Sequence, residues 1–397
     1  MPALEADEVF GFDPYAIAAR HLSPAAREAL ARLQSTLERE VRPLLADAWE
    51  RAVMPEAILE ALIPLDLMQP SGMDAAETRS TMFSGFRNYV LARTDVSVAT
   101  LYNAQSGLFR SAVALGGSPE QVAEIDPRVR SFDVTGVFAL TEPDHGSDIA
   151  GGLSTTARRD GDAWVIDGAK TWIGGAAASD LLVVFARDVA DAAVKAFLVP
   201  TDAPGVSMAA ITGKVSLRPM QNALISLEGV RVCEPDRLQR VEGWRDVARI
   251  LRAMRSDVAW IAAGLQAGVL DAAVRYTRER RQFDRPLGGF QLVQDKLARM
   301  LGNAVASLSL VVELSLHQDA SGVFADENSA LAKMQTARLA RETAALGREV
   351  LGGNGILLAH DVARFFADAE AVYSYEGTHE INALIVGRAL TGTSAFT

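Results

Sequence analysis

From residue 239 to the C-terminus the chain consists of long stretches with almost no helix breakers, and this narrows the folds open to it. Residues 244–280, 290–318 and 326–351 read as three long helices, the last stopping at Gly-Gly-Asn-Gly. A helix with so extended an apolar stripe cannot bury that stripe alone, so such helices pack side by side into a bundle. The apolar window "VAWIAAGLQAGVL" at 258–270 is flanked by Asp257 and Asp271. It is too short to span a bilayer and reads as buried helix, with no membrane insertion expected.

The first 130 or so residues are also helical in pattern. Ser23-Pro24 is a helix start, and Leu30, Leu33, Leu37, Val41 and Leu44 recur at the three- and four-residue spacing of a single apolar face. "SGM" at 71–73 and "GGSP" at 116–119 interrupt the pattern. Between about 133 and 235 the character changes. An Asp-Gly turn joins the strand-like runs of "GLSTTARRDGDAWVIDGAKTWI", and "LLVVFARD", "VKAFLVP" and "ALISLEGVRV" follow between Pro and Gly punctuation. The order is helices, sheet, helices: an α+β chain with expected divisions at 1–132, 133–238 and 239–397.

Composition narrows the function. Of the 397 residues 49% are apolar, enough for a sizeable core, and the net charge of −11 disfavours nucleic acid or anionic lipid as a partner. A single cysteine, Cys233, allows no internal disulfide, and the acidic N-terminus lacks the basic and apolar segments of a signal peptide. A cytoplasmic location is the expectation. The five histidines show no metal-ligand spacing, and there is no P-loop, no G-x-S-x-G elbow and no G-x-G-x-x-G after a strand.

Five local features stand out, four of them with two readings. "LGGNGI" (351–356) fits a helix C-cap and turn. "FALTEPDHGSD" (138–148) is either a polar loop or a cradle in which Thr141, Ser147 and loop amides hold a polar planar group. "RERRQFDRPLGGFQLVQDKLA" (278–298) is either a solvated basic turn or a phosphate site in which Arg280 pairs with the anion. Trp172 in "KTWIGG" is either core or a stacking surface for a flat cofactor. Glu376, in "YEGTHEI", is either an acid favoured at a helix start or a catalytic base.

Taken in order, "LTEPDHGSD", "KTWI", "GKVSLRP", "RRQFDRPLGGFQLVQ", "LGGNGI" and "YEGTHEI" resemble the acyl-CoA dehydrogenase flavoprotein family, from about residue 30 to the C-terminus. "GKVSLR" (213–218) and the stretch 375–396 are most similar to its glutaryl-CoA dehydrogenase branch. The resemblance implies an N-terminal helical domain, a central β-barrel domain, a C-terminal four-helix bundle, non-covalent FAD and a homotetramer. By the same resemblance, the flavin contacts are Phe138, Leu140, Thr141, Ser147, Trp172, Ile173, Gly174, Arg280, Gln282, Phe283, Gln291, Glu349, Gly352, Gly353 and Thr378. Ser147, Arg255, Gly377, Ala99 and Thr100 match positions near the acyl-CoA. Glu376 matches the base that removes the α-proton while the β-hydride goes to flavin N5. The N–H of Gly377 matches an oxyanion-hole donor, of a kind worth about 3–4 kcal/mol. Electrons would then pass to an electron-transfer flavoprotein.

Three positions depart from the family pattern. Ala99 stands where the glutaryl-CoA branch has an Arg that pairs with a distal carboxylate, so the expected substrate is an acyl thioester without one, on CoA or on a carrier protein. Gly174 replaces a Thr that bonds the flavin near N5, leaving either freer oxygen access or a space for water. His145 stands where relatives have small residues and is expected to face solvent. The alternatives within this fold are a flavin oxidase or monooxygenase, a glutaryl-CoA dehydrogenase, and a non-catalytic flavin protein. Glu376 and the net charge argue against the last.

Overall fold

A computed structural model describes residues 4–395. Packing divides the chain into two compact units, one of Met1–Thr100, Val215–Pro219 and Arg255–Thr397, the other of Leu101–Lys214 and Met220–Met254.

The first unit is helical. Helix α1 (Pro24–Thr36) starts where the Ser-Pro signal places it, with the Ser23 hydroxyl accepting from Ala26 N. Its apolar face continues through Leu33, Leu37 and Val41, but the next buried leucine is Leu45, whereas Leu44 is only partly buried. A π-helical turn at Leu37–Val41 is the reason: its wider turn takes up an extra residue and shifts the face by one position. Further along come α2 (Thr81–Thr94), α3 (Val96–Asn103) as far as Thr100, α4 (Trp244–Glu279) from Arg255 onward, and then α5 (Gln291–Ser321), α6 (Asp326–Leu351), α7 (Val362–Ser374) and α8 (His379–Thr391). Three of these are the three breaker-free stretches of the sequence.

The glycines inside the α2/α4 pair are packing devices. A Cβ on Gly85 would sit 2.2 Å from the Trp260 ring, and one on Gly264 would sit 2.3 Å from the Tyr89 carbonyl oxygen. Their absence lets α2 and α4 approach closely, with the Phe86 and Trp260 ring centroids 4.8 Å apart. Trp260 Nε1 donates to Ser315 Oγ on α5. The short segment Val215–Pro219 joins this unit because Leu217 N donates to Asp368 Oδ1 (2.6 Å) and Arg218 Nε to the Trp49 carbonyl (2.8 Å). By length and composition α4 and α5 could each cross a membrane, yet 83% of the apolar window of α4 lies buried within the protein.

The second unit carries the sheet: β1 (Gly136–Ala139), β2 (Thr156–Asp160), β3 (Ala163–Gly174), β4 (Leu181–Asp188), β5 (Val194–Pro200), β6 (Val206–Ala210) and β7 (Asn222–Cys233). The order is β1-β4-β2-β3-β7-β6, with β5 on the other edge of β4. Both faces of β4 are buried. Val183 and Phe185 join a core with Phe109, Val113 and Val129, while Leu182, Val184 and Ala186 join a core with Trp164, Phe197 and Ile225. A strand covered on both sides reads as a continuous apolar run, which is how "LLVVFARD" reads. The short strands β1 and β6 have no such signature in the sequence.

Candidate active site

The turn between α7 and α8 carries Glu376. Helix α7 ends at Ser374, and Glu376 and then Gly377 adopt left-handed backbone conformations (φ 55° and 85°). Two such residues in succession reverse the chain. Glycine takes this conformation freely, whereas a glutamate pays about 1–2 kcal/mol for it. Thr378 then caps α8, its hydroxyl accepting from Ile381 N, and the acid in the first turn of α8 is Glu380. The helix-start reading of Glu376 therefore fails, since Glu380 holds that position. The two acids titrate in opposite directions. Backbone and Thr378 hydrogen bonds hold the Glu380 carboxyl below its ordinary range, whereas burial pushes Glu376 above it. The positive charges of Arg255 and Lys333 oppose that rise without cancelling it.

Among the described residues no group donates a hydrogen bond to the half-buried Glu376 carboxylate, and the N–H of Gly377 has no acceptor. The Gly377 carbonyl, by contrast, accepts from both Lys333 Nζ and Asn382 Nδ2 at 2.8 Å. Lys333 Nζ also donates to the Tyr373 carbonyl (2.9 Å). The Tyr375 hydroxyl lies 3.4 Å from Thr100 Oγ1, and burial raises its pKa. Arg255 is committed to Asp326 (2.9 Å). A carboxylate so placed is a ready proton acceptor, and the free amide beside it is a ready donor to a developing oxyanion.

The first unit also holds Arg280, Gln282, Phe283 and Gln291, all exposed, around a hairpin in which Arg281–Gln282 pairs with Arg285–Pro286. Among the described residues the Arg280 guanidinium meets no partner. Glu349 is exposed and bonded to Lys296, and Gly352 and Gly353 form the exposed turn after α6. Ala99 is fully buried in α3.

In the second unit Trp172 sits at a bulge of β3 with φ 62° and is 58% exposed, so it is not core. Leu140 and Ile173 turn their side chains into the two cores, leaving their main chain for any ligand, and the partly buried Phe138 packs against the first of these cores. Thr141 is partly exposed and Ser147 exposed. His145 does not simply face solvent: its Nδ1 bonds Asp148 (2.8 Å), and its ring packs where a Cβ on Gly152 would stand. The space beside Gly174 is not open either, because the Met220 methyl lies 2.3 Å from where a Cβ would be. That finding removes the space for water that was one of the two expectations there. Gly174→Thr must swing this flexible methyl aside, so thermal unfolding should register a loss of about 1 kcal/mol, recovered when Met220→Ala is added.

Sequence reading missed Lys333, Asn382 and the buried pair of Lys170 with Glu142. For Lys333 a signal existed. It falls in a stripe of buried small residues, Ala330, Ala337, Ala340 and Ala344, at helical spacing.

The acyl-CoA dehydrogenase C-terminal domain matches residues 241–391, and the middle domain of the same enzymes matches residues 137–230. The short-chain specific acyl-CoA dehydrogenase of Mus musculus is 30% identical over 88% of this chain and 86% of its own length. A glutaryl-CoA dehydrogenase structure from Mycobacterium smegmatis superposes with a TM-score of 0.88, at 35% identity over 96% of this chain and 98% of its own. A second such structure from that organism, in complex with FADH2, gives a TM-score of 0.89 at 32% identity, covering 96% of this chain and 97% of its own. The chain belongs to the acyl-CoA dehydrogenase family: an oxidoreductase acting on the CH–CH bond of acyl-CoA.

Proposed function

We propose that this FAD-dependent acyl-CoA dehydrogenase oxidises a short or branched acyl thioester that has no distal carboxylate, with Glu376 as the base. The observation that carries the reading is Glu376 itself, a half-buried carboxylate without a hydrogen-bond donor, held on a left-handed turn beside a free amide. Cofactor and residues fit: Trp172 offers an exposed indole for a flat ring system, and Arg280 offers an uncommitted guanidinium for a phosphate. FAD, which the family and the relative's FADH2 complex indicate, accepts the β-hydride when bound.

The chain's own part is proton and charge handling. Glu376 takes the α-proton, and its raised pKa brings it closer to that weakly acidic carbon. The electron pair left on the α-carbon is shared with the thioester oxygen, where the Gly377 N–H receives the charge, and becomes the α,β double bond as the β-hydride leaves. The Tyr375 hydroxyl, on the residue next to the base, pairs with Thr100 Oγ1.

Ala99 argues against a dicarboxylic substrate. It is buried and apolar; of the two cations that bear on Glu376, Lys333 is engaged with two carbonyls, and Arg255 pairs with Asp326 through Nη1 while its Nε has no partner among the described residues. A second carboxylate there would be desolvated without a partner. Anaerobic mixing of the flavin-loaded enzyme with butyryl-CoA and isobutyryl-CoA should bleach the flavin, while glutaryl-CoA should release no CO2. Release of CO2 from glutaryl-CoA at a comparable rate would overturn the substrate assignment. An electron-transfer flavoprotein as acceptor and a homotetrameric assembly complete the proposal.

A further inference from the structure

We propose that Lys333 is a positioning residue for this reaction, whose buried ammonium clamps both ends of the turn that carries Glu376 and sets the strength of that base. The inference rests on the reading of Glu376 as the proton acceptor. Lys333 projects from α6, and its side chain is among the largest fully buried in the protein. Its Nζ donates to the Tyr373 carbonyl, three residues before Glu376, and to the Gly377 carbonyl, one residue after it. A neutral core residue would pack with the neighbouring alanines at no electrostatic cost, whereas a buried ammonium is costly unless its protons are used. Here two of its three protons go to the turn, and no carboxylate forms a salt bridge with it among the described residues.

The second half of the role is electrostatic. The charged groups that bear on Lys333 are Glu376 in the turn, Arg255 on α4 and Glu380 on α8. Burial lowers the Lys333 pKa to about 8, with Arg255 adding to the fall and the two glutamates opposing it. At neutral pH the group is still mainly protonated. Its charge favours the carboxylate form of Glu376 against the burial that disfavours it. Asn382 supports the same carbonyl without any charge, so the lysine does something that the amide cannot.

The test separates base strength from substrate choice. Acetyl-CoA has no β-carbon and cannot be oxidised, but a base that removes α-protons exchanges them with D2O. The C–H bond breaks, its electron pair stays on the acyl group, the proton goes to Glu376, and a deuteron returns from the solvent-equilibrated carboxyl. The flavin-loaded enzyme should catalyse this exchange with an acid limb that reports the Glu376 pKa, and Glu376→Gln should not. Absence of exchange in the unmodified enzyme would overturn the base reading itself, whatever Lys333 does. Lys333→Met should slow exchange about tenfold and move the acid limb up by about one pH unit. Lys333→Gln keeps two N–H donors but no charge, so it should show the same upward shift with a smaller loss of rate, and it decides the matter if the Met variant does not fold. Carbon-13 NMR of protein labelled at glutamate Cδ should show the Glu376 signal, assigned by its loss in Glu376→Gln, titrating at correspondingly higher pH. An acid limb and a titration unchanged in whichever variant folds would overturn the proposal.

Discussion

Replacing Glu376 with glutamine should lower the rate of flavin reduction by acyl-CoA about 10⁴-fold, the upper range for loss of a general base. The substitution keeps shape and removes only the ability to take a proton. Flavin content and acyl-CoA binding should therefore persist. Stability provides a second readout with a definite sign. Burial raises the folded-state pKa of Glu376 above its unfolded value, so the native protein binds more protons than the unfolded chain in that interval. Its contribution to stability is present below the ordinary glutamate pKa and is lost as pH rises through the folded value. The glutamine variant has no such loss, so its thermal midpoint should match the parent at pH 4 and exceed it at pH 8. A variant that turns over normally, or one whose midpoint does not exceed the parent's at pH 8, would remove the basis for a buried base at this position.

Much of this site was legible in the sequence because the chemistry requires particular side chains in a particular order. Glu376-Gly377 is visible as a motif, and the exposed Trp172 belongs to one. What supports them was not legible, because support is a matter of three-dimensional partners. Nothing in "SALAKMQ" says that Lys333 reaches the carbonyls of Tyr373 and Gly377, forty and forty-four residues on. The long helices were plain because their apolar stripes extend over many turns, and β4 and β5 because both of their faces are covered. Strand β1 has four residues and β6 has five with little burial, too short for a periodic signal. The π-turn at Leu37–Val41 is invisible for a related reason: a one-residue slip in an apolar stripe leaves leucines on both registers, and only packing selects Leu45 over Leu44.

The same kind of concealed support predicts a large effect in the second unit. Lys170 Nζ, fully buried, donates to Glu142 Oε1 (2.8 Å) and to the Leu140 carbonyl (3.1 Å). Glu142 also accepts from the Ser154 N–H and hydroxyl (2.6 Å each) and from Thr155 N (2.9 Å). Burial opposes ionisation of both partners. In Glu142 the adjacent ammonium and the hydrogen bonds outweigh it and bring the carboxyl down to about 2, while in Lys170 burial prevails and lowers the pKa to about 8. Lys170→Met leaves the carboxylate buried without its cation, which costs about 3–5 kcal/mol and lowers the thermal midpoint by about 5 °C. The pH dependence fixes the cause. In the parent the depressed pKa of Glu142 contributes stability above the ordinary glutamate range, lost as pH falls from 4.5 towards about 2. Without Lys170 burial drives that pKa upward, so the parent and variant should differ most near pH 7 and least near pH 4. Adding Glu142→Gln to Lys170→Met should recover part of the loss by removing the stranded charge. A deficit independent of pH would instead point to packing alone. Glu142 also closes the loop through reciprocal backbone bonds with His145, and this loop carries Thr141 and Ser147. If those residues hold the flavin as the family pattern implies, the Lys170→Met protein should release FAD more readily at pH 7 than at pH 5, in step with its stability.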